Sequence, residues 1–435
     1  MRYKRSIEYL YGLQKYGMKF GLDNITRLLY ALGNPHHSFR SVHVAGTNGK
    51  GSTAAMTESI IRTSGGRTGL FTSPHLVSFT ERIRIDGREI SQEEVSGLAE
   101  EVKGAVERIG DFSPTFFEVV TAMAFLCFRR NNVGWAVVEV GLGGRLDATN
   151  VILPEVTVIT AIALDHREFL GDTVREVAAE KAGVIKPGVP VVSAPQGPEA
   201  IEVIESRSSE KGSLLFRCGR DFSSSQVRED AEGLSFSYRG EREYDGLRLP
   251  LAGEHQAINA ALAVKTTEIL TGKYPGMRCN IRKGLGMVRW PGRIEIVRKN
   301  PTILIDGAHN PDAASALSVH LGRMTSGGRR RIIMVVGIMG DKDIDGILRP
   351  LLPLASTLIF TSPSYSRAAS VEVLSARAAS LGHPCVASTG VADALRKAEA
   401  LYLPGDIIVV TGSFYTIGEA KEILSGRGVL SRLRE

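Results

Sequence analysis

The chain has 435 residues, 43% of them hydrophobic and 23% charged, with a formal net charge of +6. That length carries two separately cored domains, and no stretch reaches the ~20 uninterrupted apolar residues of a membrane span. The positive charge is modest and dispersed, which suits anionic small molecules and argues against nucleic-acid or membrane partners.

Residues 1 to 40 read as helical, with Ile25, Leu28, Leu29 and Leu32 at helical spacing and a stop at Gly33-Asn34-Pro35. A β-branched run then feeds Gly46-Thr47-Asn48-Gly49-Lys50-Gly51-Ser52-Thr53, and a helix follows through Arg62. Strand, glycine turn, lysine, hydroxyl and helix, in that order, make a phosphate-binding loop. Glycines take the positive-φ conformations that turn backbone N–H groups inward. The helix start adds its partial positive charge, Lys50 a mobile ammonium, and Ser52 or Thr53 a hydroxyl for magnesium. The strict pattern G-x-x-x-x-G-K-[ST] is not met, since Val44 replaces the first glycine and Gly51 is inserted after Lys50.

Gly69-Leu70-Phe71 reads as a short strand ending at Thr72-Ser73-Pro74-His75, by itself an ordinary Ser-Pro turn. Asp86-Gly87 marks a hairpin, Ser91 to Ile109 an amphipathic helix, and Thr115 to Phe128 an apolar one in which Phe117 is core and Glu118 a cap. Trp135 to Val140 is a continuous apolar strand carrying one carboxylate, Glu139, at its end. A buried strand tolerates such a charge when it is paired or holds a metal. Glycines follow in Gly141-Leu142-Gly143-Gly144-Arg145-Leu146-Asp147-Ala148-Thr149-Asn150. A fourth strand, Val156 to Thr160, leads to Leu164-Asp165-His166, with Asp165 placed to orient the His166 ring. Ala178 to Lys186 reads as a helix running into Pro187-Gly188, with Lys181 a surface lysine by default. Residues 189 to 251 read as a strand, a helix and a small antiparallel sheet.

Gly253-Glu254-His255-Gln256-Ala257-Ile258-Asn259 opens a helix, and the Asn259 amide pairs donor with acceptor as the adenine edge does. Pro291-Gly292-Arg293 marks a hinge. Beyond it, runs at 302–305, 332–336, 357–360 and 406–411 alternate with helices, as in a second open parallel sheet. The first of these runs ends in Asp306-Gly307-Ala308-His309-Asn310-Pro311, whose Asp306 and His309 also fit a strand-end cap. No G-x-G-x-x-G opens this half, so a dinucleotide is not favoured. Cys127, Cys218, Cys279 and Cys385 lack C-x-x-C spacing, and Met1-Arg2-Tyr3-Lys4-Arg5 is not followed by an apolar signal core. Both point to a cytoplasmic protein with free thiols.

The loop Gly46 to Ser52, the segment Glu139 to Asn150, Ser73-Pro74-His75, Gly253-x-His255-x-x-x-Asn259 and Asp306 to Pro311 together resemble folylpolyglutamate synthase and dihydrofolate synthase. These are ATP-dependent amide ligases of the Mur ligase superfamily. The resemblance runs in family order over roughly residues 12 to 420. It implies an α/β architecture: residues 1-293 an ATP-binding P-loop domain with a parallel sheet and a small appended antiparallel sheet, and residues 294-435 a Rossmann-like ligase domain. It implies a monomer that uses ATP and Mg2+ to add L-glutamate to a folate or to dihydropteroate through an acyl phosphate, and fits the bifunctional prokaryotic form.

Carried over residue by residue, the resemblance puts Gly46 to Thr53 on the ATP phosphates and Asn259 on the adenine. It puts Ser73, Glu139 and His166 at the metal, and Arg293, Asp306 and His309 at the nucleotide. Phe117 and Glu118 fall near the pterin, and Lys181 matches a lysine that the family carries as a carbamate. Two other functions compete: a peptidoglycan ligase of Mur type, which the motif detail disfavours, and a P-loop ATPase switch, which would turn over ATP without an amide product.

Overall fold

The computed structural model describes residues 2–17, 21–326 and 330–426. The chain forms two compact units. The first comprises Met1–His75, Phe79–Pro250 and Gln256–Arg289; the second comprises Leu76–Ser78, Leu251–His255 and Trp290–Glu435. The second unit thus begins just ahead of the cut expected at residue 293, and it also takes in two short segments from earlier in the chain.

The first unit is built on an eight-stranded sheet. Its strands are β1 (Arg40–Ala45), β2 (Thr68–Phe71), β3 (Ile83–Ile85), β4 (Arg88–Glu89), β5 (Trp135–Glu139), β6 (Val156–Ile159), β7 (Val191–Ser193) and β8 (Leu215–Arg217). They lie in the order β4-β3-β2-β5-β1-β6-β7-β8. β2, β5, β1, β6, β7 and β8 are parallel, while β3 and β4 add an antiparallel edge. The edge hairpin turns through Asp86 and Gly87, at φ +51° and +76°. Positive φ at both central residues matches the twist of a two-residue hairpin.

A three-stranded antiparallel sheet, β9 (Ser223–Asp230), β10 (Gly233–Arg239) and β11 (Glu243–Leu249), is appended to this unit. It is held to the His255–Lys273 helix by a buried polar cluster. The Tyr238 hydroxyl donates to Glu268 at 2.8 Å, and Lys265, 2% exposed, sits 2.5 Å from Glu241 and 3.4 Å from Glu268. A lysine that keeps its charge at such depth needs that charge matched, and here two carboxylates do so.

The second unit carries a six-stranded sheet of β12 (Glu295–Lys299), β13 (Thr302–Ile305), β14 (Ile332–Val336), β15 (Ala355–Phe360), β16 (Val386–Ala387) and β17 (Ile407–Thr411). The order is β12-β13-β17-β14-β15-β16, parallel except for β12. Side chains alternate between two cores. Ile332, Met334, Val336, Ile407 and Val409 join one cluster, while Ile333, Val335, Ile408 and Val410 join the other. Helices cover both faces, so every position of β14, and every position of β17 before the terminal Thr411, is apolar.

Two elements differ from their sequence reading. The helix expected from Ala178 to Lys186 runs from Val174 to Ala182, because Thr173 and Glu176 form a capping box that starts it earlier and Gly183 follows its last residue. The amphipathic reading of residues 1 to 40 resolves into helices Arg2–Gly12 and Asp23–Ala31, with Ile25, Leu28 and Leu29 buried. No helix among the described residues is long and apolar enough to cross a membrane.

Candidate functional site

Strand order assembles the site in the first unit. β2, β5, β1 and β6 are neighbours and parallel, so the loops leaving their carboxyl ends emerge side by side. At or just beyond those strand ends lie Ser73, Glu139, the glycine loop and His166 respectively. The carboxyl edge of an open α/β sheet is where such folds bind ligands.

The glycine loop meets its geometric requirements at two positions. Gly46 has φ +139°, and a Cβ there would lie 1.9 Å from Thr160 Oγ1. Gly49 has φ +92°, and its Cβ would lie 2.4 Å from Asn259 Oδ1. Asn259 therefore packs directly on the loop, with its amide donating to Gln256 Oε1 at 3.0 Å. The helix Lys50–Arg62 starts at Gly49, and the first N–H groups of a helix have no partner inside it. The Lys50 ammonium donates to the Thr47 carbonyl at 3.2 Å. Ser52 and Thr53 are buried, and neither hydroxyl has a hydrogen-bond partner. Orphan hydroxyls buried at a helix start are costly unless something binds there, and phosphate with its metal is the matching chemistry.

Glu139 is 4% exposed, and its Oε2 accepts the Ser73 N–H at 3.1 Å. That bond ties the ends of β2 and β5 together. Asp165 Oδ1 accepts the His166 backbone N–H at 2.9 Å, while the ring Nε2 stands 3.9 Å from Oδ2. Asp165 therefore fixes the His166 backbone, at φ +51°, with the ring beside its other carboxylate oxygen. Among the described residues no three His, Cys, Asp or Glu side chains are grouped to hold a metal. Magnesium suits such a place when one or two protein ligands are completed by phosphate and water.

Lys181 is no surface residue. It is 4% exposed, and its Nζ donates to the Gly46 carbonyl at 2.9 Å. Burial first, and the neighbouring Lys50 charge second, hold its pKa down to about 7, with Asp165 and Asp147 opposing. The glycine run after β5 explains its setting. A Cβ at Gly144 would lie 2.7 Å from the Glu180 carbonyl oxygen, and one at Gly183 would lie 2.4 Å from Arg145 Cβ. Asp147 shapes that run, its Oδ2 accepting the N–H groups of Gly141 at 3.1 Å and Leu142 at 2.9 Å. Behind it, the buried His43 Nε2 lies 2.8 Å from the Thr149 hydroxyl, which donates to Asp147. Burial pushes His43 down to about 3, so the ring is neutral.

Phe117 stacks on Phe71 and fills the space a Cβ on Gly141 would need. Glu118 closes a capping box with Thr115, its Oε2 accepting the Thr115 N–H at 2.6 Å. The cap reading accounts for it without a ligand.

In the second unit, Asp306 accepts from Ile294 N and Ala308 N, both at 2.9 Å. Burial raises its pKa, against the pull of Arg293 and these two bonds. Ile294 sits at φ +46°, an outlier for a β-branched residue, so the Asp306 bond holds a strained backbone beside Arg293. The Arg293 guanidinium lies 4.6 Å from the centre of the Phe414 ring. His309 Nδ1 donates to the Gly307 carbonyl at 2.8 Å, and Asn310 caps the Pro311–Thr325 helix through Ala313 N.

Known proteins resemble this chain over nearly its whole length. The Mur ligase middle domain matches residues 44–267, and the Mur ligase glutamate ligase domain matches residues 292–414. The dihydrofolate synthase/folylpolyglutamate synthase of Bacillus subtilis is 36% identical over 431 residues, covering 97% of this chain and 99% of its own. The chain belongs to the Mur ligase family, on its folylpolyglutamate and dihydrofolate synthase branch. A further member, named "probable bifunctional folylpolyglutamate synthase/dihydropteroate synthase" in Haloferax volcanii, is 38% identical over 97% of this chain. The chain spans half the length of that relative. A solved folylpolyglutamate synthase of Mycobacterium tuberculosis, complexed with ADP and AMPPCP, superposes with a TM-score of 0.90. It shares 35% identity over 97% of this chain and 99% of that one.

Sequence reasoning missed several residues that shape this Mur ligase site. Gln256 supports Asn259, and His43 and Thr149 stand behind Asp147. Thr160 and Gln196 carry the loop after β6. The spacing of His43 inside an apolar strand was the one available signal, since a buried histidine must find a partner.

Proposed function

We propose that this Mur ligase is an ATP-dependent ligase that joins the amino group of L-glutamate to the free carboxylate of a folate, of dihydropteroate, or of both. The observation that carries the reading is the phosphate loop with its two buried hydroxyls, set between the strand ending in Glu139 and the strand leading to His166. The Bacillus subtilis relative, of near-equal length, is named for both activities.

The reaction proceeds in two displacements. A carboxylate oxygen of the pterin-bearing substrate attacks the γ-phosphorus of ATP, and the bond to ADP breaks. The glutamate nitrogen then attacks the carbonyl carbon of the acyl phosphate, loses its proton, and phosphate leaves with the bonding pair. Phosphoryl transfer needs alignment and charge cancellation more than covalent help. Lys50 supplies a cation at the outer phosphates, and the loop N–H groups align the chain of phosphates. Asn259, packed on Gly49, is assigned to the adenine. Ser73, Glu139, His166 and a hydroxyl of Ser52 or Thr53 are assigned to hold Mg2+, which when bound offsets charge on the phosphates. Arg293, Asp306 and His309 stay assigned to the nucleotide on the family resemblance, as Phe117 does to the pterin. The reading is that of a monomer working in the cytoplasm on small molecules.

Lys181 is assigned as a carbamate in the working enzyme. A pKa held near 7 leaves much of the amine neutral at physiological pH. Its lone pair can add to the carbon of CO2 with loss of one proton, which exchanges a buried cation for an anion. Labelled CO2 followed by carbon NMR tests this directly, and its absence in a fully active enzyme would remove the modification.

The test of the whole reading is ADP release with L-glutamate and either dihydropteroate or tetrahydrofolate, the products being identified by mass. An amide product heavier by one glutamate is expected. ADP release that needs no glutamate and yields no amide would overturn it.

A further inference from the structure

The segment between β6 and His166 is stitched to the phosphate loop on one side and to a single glutamine on the other. The Ala161 carbonyl accepts both Thr47 N at 2.9 Å and Asn48 N at 3.0 Å. The Thr47 hydroxyl donates to the Ala163 carbonyl at 3.0 Å and accepts the Ala163 N–H at 3.1 Å. A threonine hydroxyl has one proton to give, and here it goes to a neighbouring loop. On the far side, Gln196 Oε1 accepts the Ile162 N–H at 3.0 Å, and its Nε2 donates to the Thr160 carbonyl, also at 3.0 Å. Thr160 closes the set: its N–H and hydroxyl both donate to the Ala45 carbonyl.

From this pattern we infer that Thr47 and Gln196 are positioning residues that fix the loop carrying Asp165 and His166 in register with the phosphate loop. Thr47 holds that loop in place of a phosphate oxygen. Gln196 works as a side-chain substitute for a missing strand, satisfying alternate backbone groups of residues 160 and 162 as a ladder would. The chemistry assigned to His166 needs its loop held to a fraction of an ångström, and residues behind metal ligands commonly set metal affinity. The inference rests on the ligase reading only in taking His166 to the metal.

The test uses the full chain and reads binding, not turnover. Mn2+ stands in for magnesium and is followed by electron paramagnetic resonance with a non-hydrolysable ATP analogue present. The analogue's own affinity is measured separately in EDTA. Thr47→Val and Gln196→Ala should each weaken Mn2+ by about tenfold, in the range that residues supporting metal ligands show. In Gln196→Ala metal-free nucleotide affinity should stay at the wild-type value, and in Thr47→Val it should fall by less than the Mn2+ affinity does. Thr47→Ser keeps the hydroxyl and should restore Mn2+ binding; Gln196→Glu loses the donor to Thr160 and should not.

Equal loss of metal-free nucleotide affinity in Thr47→Val would put the hydroxyl on phosphate and overturn the inference. Wild-type Mn2+ affinity in both Thr47→Val and Gln196→Ala would do the same. Should Thr47→Val fail to fold, Gln196→Ala decides alone, since it lies outside the phosphate loop. Tight Mn2+ binding by a wild-type protein that forms no amide would instead sink the ligase reading and leave this inference standing.

Discussion

The two motif loops, Gly46 to Ser52 in the first unit and Asp306 to Asn310 in the second, look alike on the page. Each follows an apolar strand and opens a helix. Their polar groups behave differently. In the first loop, Ser52 and Thr53 keep buried hydroxyls with no partner, and Gly49 is pressed against Asn259. In the second, Asp306 takes two backbone N–H groups, His309 donates to a carbonyl, and Asn310 caps the helix. One loop holds two buried hydroxyls without a partner, and the other has backbone partners for Asp306, His309 and Asn310. A motif can therefore mark a site by what it leaves unsatisfied, or hold a neighbour such as Arg293 by what it satisfies.

Substitution at Lys50 should separate the loops most sharply. Lys50→Ala is expected to lower ADP formation by about 10³-fold, as removal of one stabilising group at a developing charge does, while unfolding in urea stays at the wild-type midpoint. A mutant with near-normal turnover would end the contrast, because the first loop would then not be the chemical one. Asp306→Ala should add a loss of stability to its loss of turnover. It strands two buried N–H groups and frees the strained Ile294, at a cost of about 2–4 kcal/mol in denaturant unfolding. If its stability is unchanged and only turnover falls, Asp306 serves the nucleotide alone and does not hold the backbone beside Arg293.

A pH experiment sharpens the first loop further. The Lys181 pKa is held down to about 7 in the fold, whereas an unfolded lysine keeps its proton to about 10.4. Between those values the unfolded chain binds the extra proton, so stability rises with pH across that window and is lowest below it. The slope attributable to this residue is up to about 1.4 kcal/mol per pH unit. It is read as the difference between wild type and Lys181→Met in CO2-free buffer. Parallel stability curves would mean that the buried amine titrates normally. The smallest effect belongs to the second loop's cap: Asn310→Ala should cost about 1 kcal/mol and leave ATP binding untouched. Calorimetry with the nucleotide analogue checks both parts.

Most of the first sheet was legible because its strands end in unusual residues. Glu139 stands out at the end of Trp135 to Val138, and the glycine loop announces itself after Val44. β9 was not legible, since Ser223-Ser224-Ser225-Gln226-Val227-Arg228-Glu229-Asp230 is a largely exposed strand held by backbone pairing to β10, with little apolar side chain to mark it. The start of the helix bearing Lys181 was missed because Thr173 and Glu176 make a capping box with weak apolar pattern behind it. Lys181 was legible through the family resemblance and not through its own segment, because its burial depends on Gly144 and Gly183, contacts that no local pattern encodes. Gln196 was invisible for the same reason.

Leu76 is counted within the core of the second unit, 6% exposed, in the cluster that holds Ile303, Ile305 and Val410. A Cβ on Gly292 would come within 3.2 Å of it. Genes that lend domains to one another do so most easily when each domain is one uninterrupted stretch. Here no single cut yields the second unit whole, because a fragment starting near Trp290 would leave a hole where the Leu76 side chain belongs. Filling a leucine-sized void with nothing costs about 2–5 kcal/mol, enough to matter against the stability of a typical domain. The two units are thereby bound to a shared inheritance, and recombination that separates them carries a folding defect from the start.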